Sequence, residues 1–222
     1  MVVTQTLAVE KRGEAMKLEK PLVEYGAVDI DAFCEKMLRQ PKEFWEADRA
    51  SRKVMAGNRP GNAVFFYTDV PAFANRNPML EVRNGYVNVL RYPDRILFAE
   101  LQKMIEDSIV PAFPRCDVLR VQLTELPPGQ VITPHYDGNI MALTHRLHVP
   151  LVTHAGVKFI IDGQSFFLEP GRLYELNNVV VHSVENNSDV MRVHLLIDML
   201  PHSVARARYY DSERAMISAL AA

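Results

Sequence analysis

The sequence has few cysteines, no long apolar run and no excess of either charge, and each absence narrows the possible functions. Its two cysteines, Cys34 and Cys116, form no CxxC pair and no Cys/His pattern with zinc-ligand spacing, so we do not expect a structural zinc site. We expect both thiols to be reduced and mostly buried, as in cytosolic proteins. Since no run of about 18 apolar residues occurs, the sequence predicts no membrane span.

The charge balance and the N-terminal segment limit partners and location. A net charge of −2 over 222 residues gives no reason to expect nucleic acid or an anionic membrane as a partner. Residues 1–20 contain no apolar stretch of the kind that signal peptides have, so we expect a cytoplasmic protein. The content of 48% hydrophobic and 23% charged residues is ordinary for a globular protein.

The pattern along the chain predicts one domain that is mainly β with flanking helices. We expect a flexible tail over residues 1–20 and a single domain over residues 21–222. Within the domain, residues 29–113 are predicted to form a helical region that acts as a lid, and residues 201–222 a C-terminal helix. Residues 117–200 contain short strands separated by turns, which is typical of a double-stranded β-helix, that is, a jelly-roll or cupin barrel.

Local signals predict several elements within this domain. The apolar spacing over Asp29–Gln40 predicts a helix with Asp29 as its cap, and a second helix is predicted to start at Asp94 and to stop at Pro111. Val64–Tyr67 is a predicted strand. Asp162-Gly163 separates two apolar runs and predicts a β-hairpin with a type I′ turn.

Two histidines and an aspartate form the most informative pattern. His135 and Asp137 are separated by one residue, so in a strand both side chains point to the same face. With His182 from a later strand, they have the residue types of a 2-His-1-carboxylate triad, which holds Fe(II) and leaves positions open. An isolated HxD pair is more often a polar pair on a solvated strand. Here apolar strands surround it, and buried polar groups need a partner, which favours a metal site.

Two further strands carry paired polar residues inside apolar surroundings. Arg146 and His148 share one face of the first strand, and Arg192 and His194 share one face of the second. The guanidinium of Arg192 is a candidate for a bidentate pair with the far carboxylate of a metal-chelating organic acid. An oxygenase that uses 2-oxoglutarate needs these parts. For His194 two roles stay open, support of the site or a buried histidine with its own hydrogen-bond partner.

This ordered set of residues resembles the aspartyl/asparaginyl β-hydroxylase family of 2-oxoglutarate oxygenases. The resemblance lies in Thr124 to Pro128, Pro134-His135, Arg146-Leu147-His148, Asn177 to His182, and Arg192 through Asp198. It implies a cupin-like barrel, Fe(II) as cofactor, and 2-oxoglutarate and O2 as cosubstrates, with His135 and His182 as iron ligands. It also implies that Arg192, Arg146, His148 and Thr124 surround the carboxylates of 2-oxoglutarate, and it leaves open which end Arg146 and His148 hold.

The carboxylate of the triad bears on the class of substrate. The well-known peptidyl aspartyl hydroxylases of this family have a glycine where this chain has Asp137. The complete triad of this chain is nearer to the members that act on small molecules. Asp137 also argues against a halogenase, which needs an open position for chloride in place of the carboxylate.

We therefore expect an Fe(II)- and 2-oxoglutarate-dependent hydroxylase of an amino acid, a short peptide or an amino-acid-derived metabolite. One alternative is a metal-dependent cupin enzyme without 2-oxoglutarate, which would have no need of Arg192. The other is a non-catalytic, small-molecule-binding cupin, which would tolerate the loss of a metal ligand, and no ligand is missing here. His145 and His154 are predicted to face solvent.

Overall fold

A computed structural model of the chain describes residues 18–48, 59–69, 89–91 and 94–204. Within these residues the strands are β1 (Leu22–Ala27), β2 (Ala63–Asp69), β3 (Val89–Arg91), β4 (Cys116–Leu126), β5 (Val131–His135), β6 (His145–Val152), β7 (Val157–Ile161), β8 (Gln164–Phe166), β9 (Arg172–Leu176), β10 (His182–Asn186) and β11 (Arg192–Pro201). The α-helices are α1 (Asp31–Leu38), α2 (Lys42–Glu46) and α3 (Phe98–Met104). A π-helical turn at Ile105–Ile109 and a 3-10 turn at Val110–Ala112 extend α3.

The strands form two antiparallel sheets. The larger sheet has the order β1-β9-β6-β11-β4-β2-β3, and the smaller sheet has the order β5-β10-β7-β8. Side chains from both sheets line one pocket, so the two sheets face each other. This arrangement confirms the predicted mainly-β, jelly-roll fold with flanking helices.

Side-chain alternation gives the larger sheet two different faces. One face packs against α1 and α3 in an apolar core, to which β6 contributes Leu147 and Val149 and β11 contributes Leu195 and Ile197. The opposite face of the same strands turns polar side chains toward the smaller sheet and the pocket. A shift of one residue in either strand would exchange the two faces, so the apolar core also determines which polar groups enter the pocket.

The helices lie in an outer layer of the molecule. Phe33 and Met37 of α1 and Leu101 of α3 are buried in the core on the outer face of the larger sheet, not above the pocket. Because residues 49–58 and 70–88 lie outside the described part, the lid role of residues 29–113 stays a prediction. The domain boundaries also stay predictions, since the tail and the C-terminal helix fall mostly on residues 1–17 and 205–222.

The helix starts differ from those predicted. Helix α1 begins at Asp31 with Ile30 in the cap position, and Asp29 only accepts a hydrogen bond of 3.3 Å from the backbone N–H of Asp31. Helix α3 begins at Phe98, not next to Asp94, because a turn occupies residues 94–97. The turn competes with helical pairing for the first backbone groups, which the apolar periodicity does not reveal.

The hairpin prediction is confirmed by the backbone of its turn. Asp162 has φ of 50° and Gly163 has φ of 74°, and a type I′ turn needs positive φ at both positions.

The thiols of Cys34 and Cys116 are free and half-buried, and burial raises the pKa of Cys34 to about 11 and that of Cys116 to about 12. Among the described helices, none is long and apolar enough to cross a bilayer.

Candidate functional site

The structure brings the three predicted metal ligands together at one end of the pocket. His135 is the last residue of β5 and His182 is the first residue of β10, and the two are direct partners in the ladder between these strands. Asp137 follows β5 by two residues. One ligand atom from each of the three side chains lies within 4.8 Å of the other two. The spacing suits a single ion held by all three groups.

Backbone contacts orient both imidazoles. Nδ1 of His135 lies 2.7 Å from the carbonyl oxygen of Thr133, and Nδ1 of His182 lies 2.9 Å from that of Val180. A carbonyl oxygen only accepts hydrogen bonds, so each Nδ1 carries the proton and each Nε2 keeps its lone pair. The two rings therefore present the nitrogen that a metal ion binds, in the arrangement that is usual for histidine ligands.

The protonation states also suit a divalent cation. Burial lowers the pKa of His182 to about 4, and burial also lowers the pKa of His135. For Asp137 burial alone would raise the pKa, but the charge of Arg146 and the two neighbouring imidazoles bring it below its usual value. At neutral pH both histidines are neutral and the carboxylate is ionised, as metal binding requires.

Asp137 is held through both its backbone and its carboxylate. Its backbone N–H donates to the carbonyl of Asn178 at 2.8 Å, and the amide of Asn178 donates to the carbonyl of Met141 at 2.7 Å. Its Oδ2 accepts a hydrogen bond of 2.6 Å from Nη1 of Arg146. The same guanidinium pairs with Asp198, at 2.8 Å from Nε to Oδ1 and 3.1 Å from Nη2 to Oδ2.

Arg192 is a buried cation at the other end of the pocket. Arg192 is 2% exposed. Its Nη1 lies 3.4 Å from Oγ1 of Thr124, and its guanidinium lies 5.2 Å from the ring centroid of Phe159. Within the described part of the chain no carboxylate pairs with it, and its Nε has no hydrogen-bond partner. Burial lowers its pKa to about 9, so it is still charged at neutral pH. A buried cation of this kind is stabilised by an anionic ligand.

Two neutral histidines lie beside Arg192. Within the described residues, neither ring nitrogen of His148 or of His194 has a hydrogen-bond partner, and burial places the pKa of both well below the usual value. The rings meet edge-on with centroids 5.8 Å apart, and His194 stacks on Phe159 at 5.3 Å. His148 lines the pocket and His194 does not. These unpaired nitrogens provide hydrogen-bonding capacity next to the place where an anion would bind.

The pocket between the two groups has a volume of about 190 Å³, which suits a small organic acid. Its lining includes every residue that was predicted for the site: Thr124, His135, Asp137, Arg146, His148, His182 and Arg192. The proposed contacts of Arg146 and His148 with 2-oxoglutarate stay predictions. Arg146 already lies between two carboxylates, whereas His148 has free hydrogen-bonding groups.

An arginine that the sequence prediction missed lies at the pocket mouth. Arg59 is exposed, lines the pocket and acts electrostatically on His135 and Asp137. Two residues after Arg59, the backbone of Gly61 packs closely against β4. Gly61 has φ of 81°, and a Cβ at this position would lie 2.1 Å from the carbonyl oxygen of Glu125. Only glycine fits this close approach of two backbones.

The pairing of Asp198 with Arg146 was also not predicted from the sequence, although the even spacing of Asp198 from Arg192 along β11 places both on the same strand face. The prediction that His145 faces solvent was wrong. His145 is 3% exposed, and its Nδ1 lies 2.6 Å from Oε1 of Glu175. The side chain is buried because β6 is a central strand with a neighbouring strand on each side. His154 is exposed, as predicted.

The comparisons with known proteins agree with this fold. Residues 92–201 match the family model described as aspartyl/asparaginyl beta-hydroxylase. No curated protein matches the chain. A viral collagen prolyl hydroxylase from Paramecium bursaria Chlorella virus-1 is similar in structure at 10% identity, with a TM-score of 0.50 over 82% of this chain and 96% of that one. At such identity the likeness shows a common fold.

Two further solved structures are similar over shorter stretches. An oxidoreductase of the 2OG-Fe(II) oxygenase family from Burkholderia pseudomallei has 13% identity and a TM-score of 0.46 over 69% of this chain and 79% of that one. A cupin domain from Bordetella pertussis Tohama I has 24% identity and a TM-score of 0.31 over 37% of this chain and 82% of that one.

Proposed function

Because residues 92–201 match the model of the aspartyl/asparaginyl β-hydroxylase family, we propose that the chain is an Fe(II)- and 2-oxoglutarate-dependent hydroxylase. Its substrate would be an amino acid, a short peptide or an amino-acid-derived metabolite. One observation carries the proposal: a His-Asp-His cluster and the buried Arg192, which pairs with no carboxylate of the described residues, lie on the lining of one pocket. That combination suits an acid that chelates a metal with one end and needs a cation at the other.

His135, Asp137 and His182 would hold the metal through two Nε2 atoms and a carboxylate oxygen. Fe(II) with 2-oxoglutarate supplies the activation of O2 that hydroxylation of an unactivated C–H bond requires. The backbone contacts to Thr133 and Val180 keep both imidazoles in the tautomer that binds a metal. These residues therefore position the reaction and set the protonation states before the metal arrives.

Arg192 would bind the distal carboxylate of 2-oxoglutarate. Its planar fork donates two parallel hydrogen bonds to a carboxylate, and the hydroxyl of Thr124, which accepts a hydrogen bond from Nη1 of Arg192, lies beside it. His148 is neutral and without a partner among the described residues, so it can donate to a carboxylate oxygen without adding charge. Phe159 covers one side of the guanidinium and keeps water from the pair.

Arg59 supports a substrate that carries a carboxylate. It lies at the mouth of the same pocket, on the side of His135 and Asp137, and it pairs with no carboxylate of the described residues. The carboxylate of a free amino acid or of a peptide C-terminus would pair with it while the reacting carbon lies toward the metal ligands. This supports a small amino-acid-like substrate rather than a folded protein domain.

The two alternatives explain less of the pocket. A cupin enzyme without 2-oxoglutarate, or a cupin that only binds a small molecule, has no need of a buried cation far from the metal ligands. Such a cation destabilises the empty protein unless an anion binds to it. Binding of the anionic cosubstrate would stabilise Arg192 and so explain why this cation is buried.

Succinate release tests the proposal. The purified protein is incubated with Fe(II), 2-oxoglutarate and a panel of free amino acids and short peptides, and products of hydroxylation are sought by mass spectrometry. We expect single alanine changes at His135, Asp137 or His182 to reduce succinate release to background while the fold is retained, because the core does not depend on the metal.

The exposed His154 offers the matched control, since His154→Ala removes an imidazole outside the pocket and should leave succinate release unaltered. Retained activity in His182→Ala would remove the iron assignment. A wild-type protein that binds metal but neither binds 2-oxoglutarate nor releases succinate would favour the cupin enzyme without this cosubstrate.

A further inference from the structure

A chain of three charged groups crosses the barrel interior and ends at Asp137. Asp198 on β11 lies directly opposite Arg146 on β6 in the ladder of the larger sheet. Both oxygens of Asp198 accept hydrogen bonds from Arg146, at 2.8 and 3.1 Å. The remaining guanidinium nitrogen, Nη1, donates to Oδ2 of Asp137 at 2.6 Å. All three nitrogens of Arg146 are therefore engaged in the link between the larger sheet and the metal-binding cluster.

The three side chains are almost completely buried. The side chain of Asp198 is 1% exposed, that of Arg146 is 8% exposed and that of Asp137 is 9% exposed. Bidentate pairing of a planar guanidinium with a carboxylate fixes the orientation of both groups, which a lysine in place of Arg146 would not do. Asp198 thus determines the direction in which Nη1 of Arg146 points.

Asp137 needs such a partner because it lies outside the strands. It follows the end of β5, next to the exposed Tyr136, in a segment without regular structure. Arg146, by contrast, lies on a strand that has a neighbour on each side. We propose that Asp198 and Arg146 are positioning residues that hold the Asp137 carboxylate in place for the metal. The inference rests on the metal role proposed above.

The charges of the three groups give Asp198 a second effect. Two carboxylates and one guanidinium leave one negative charge beside two neutral imidazoles. Without the charge of Asp198, Arg146 would neutralise Asp137, and the charge of Arg59 at the pocket mouth would then repel a divalent cation. Asp198 therefore affects both the orientation and the charge of the metal site, although it touches no metal.

Mn(II) binding to the full-length protein tests the positioning role without any substrate. Mn(II) replaces Fe(II) in sites of this kind, does not oxidise in air and is counted directly by the electron paramagnetic resonance signal of the free ion. We expect Asp198→Asn to weaken Mn(II) binding by about 10- to 100-fold, the usual effect of removing a group that supports a metal ligand. The matched control is Asp117→Asn on β4, whose side chain is 47% exposed and pairs with His202 outside the pocket.

A double variant separates positioning from structural support. Arg146→Met with Asp198→Leu removes one charge of each sign, so the net charge of the cluster is unaltered, and it fills the space with apolar side chains. An apolar pair often supports the fold as well as a buried ion pair does. We expect the double variant to recover the thermal stability that Asp198→Asn loses, while Mn(II) binding stays at least tenfold weaker than in the wild type.

Each outcome supports or overturns the positioning role of Asp198 and Arg146. Wild-type Mn(II) affinity in Asp198→Asn, or in the stable double variant, would overturn the positioning role. If Asp198→Asn does not fold, the double variant alone decides. A wild-type protein that fails to bind Mn(II) would instead contradict the metal site itself, so the two failures are distinguishable.

Discussion

Replacement of Arg192 by alanine is the perturbation for which the structure predicts the largest effect on cosubstrate binding. Arg192 is completely buried, its Nε has no partner among the described residues, and its nearest polar contact is Thr124 at 3.4 Å. Loss of a charge-assisted bidentate pair from a buried site costs about 2–5 kcal/mol. At about 1.4 kcal/mol for each factor of ten, Arg192→Ala should raise the Kd of 2-oxoglutarate by roughly 30-fold or more.

Removal of the Arg192 charge should have the opposite effect on the empty protein. A buried cation without a carboxylate partner destabilises the folded state, which is why burial lowers the pKa of Arg192 to about 9. We therefore expect Arg192→Met, which preserves apolar volume, to leave the thermal stability of the ligand-free protein unaltered or higher. An arginine with a purely structural role would show a loss of stability instead.

Isothermal titration of the Mn(II)-loaded protein with 2-oxoglutarate measures this directly. Arg192→Lys should recover only part of the affinity, since the ammonium lacks the planar fork. The control is Arg39→Ala, an arginine on α1 whose side chain is 73% exposed and pairs with Glu35. An unaltered Kd in Arg192→Ala would refute the assignment of Arg192 as the anchor of 2-oxoglutarate.

Two further predictions follow from the pKa shifts and the pocket charges. Burial places the pKa of His194 well below its unfolded value of about 6.5, so below that pH the unfolded chain binds more protons and stability falls. In urea titrations at pH 7 and pH 5, His194→Phe should lose less stability on acidification than the wild type, and an equal loss in both would contradict this. Arg59→Gln should raise the KM of a carboxylate substrate by up to about fivefold, the effect of at most about 1 kcal/mol for a solvent-exposed pair, with the Kd of 2-oxoglutarate unaltered. Arg39→Gln is the control, and an unaltered KM in Arg59→Gln would remove Arg59 from the substrate site.

Local sequence patterns were enough to predict the type of fold and the side chains that line the pocket with the candidate metal ligands. His135 and Asp137 share a face because side chains alternate along an extended chain, and the alternation of Arg192 with apolar neighbours places it on the polar face of β11. The turn at Asp162-Gly163 could be predicted because positive φ at two adjacent residues is a local preference. Each of these inferences needs only a few neighbouring residues.

Contacts between distant strands could not be predicted in this way. The pairing of Arg146 with Asp198 depends on the register of β6 against β11, and the approach of Arg59 to the pocket depends on the packing of Gly61 on Glu125. The burial of His145 against Glu175 likewise depends on the central place of β6 in its sheet. The sequence by itself determined which polar groups lie on which strand face, because that follows from local backbone geometry. Only the tertiary structure decided which of these groups meet and which stay unpaired, because strand order and register depend on the packing of the whole core.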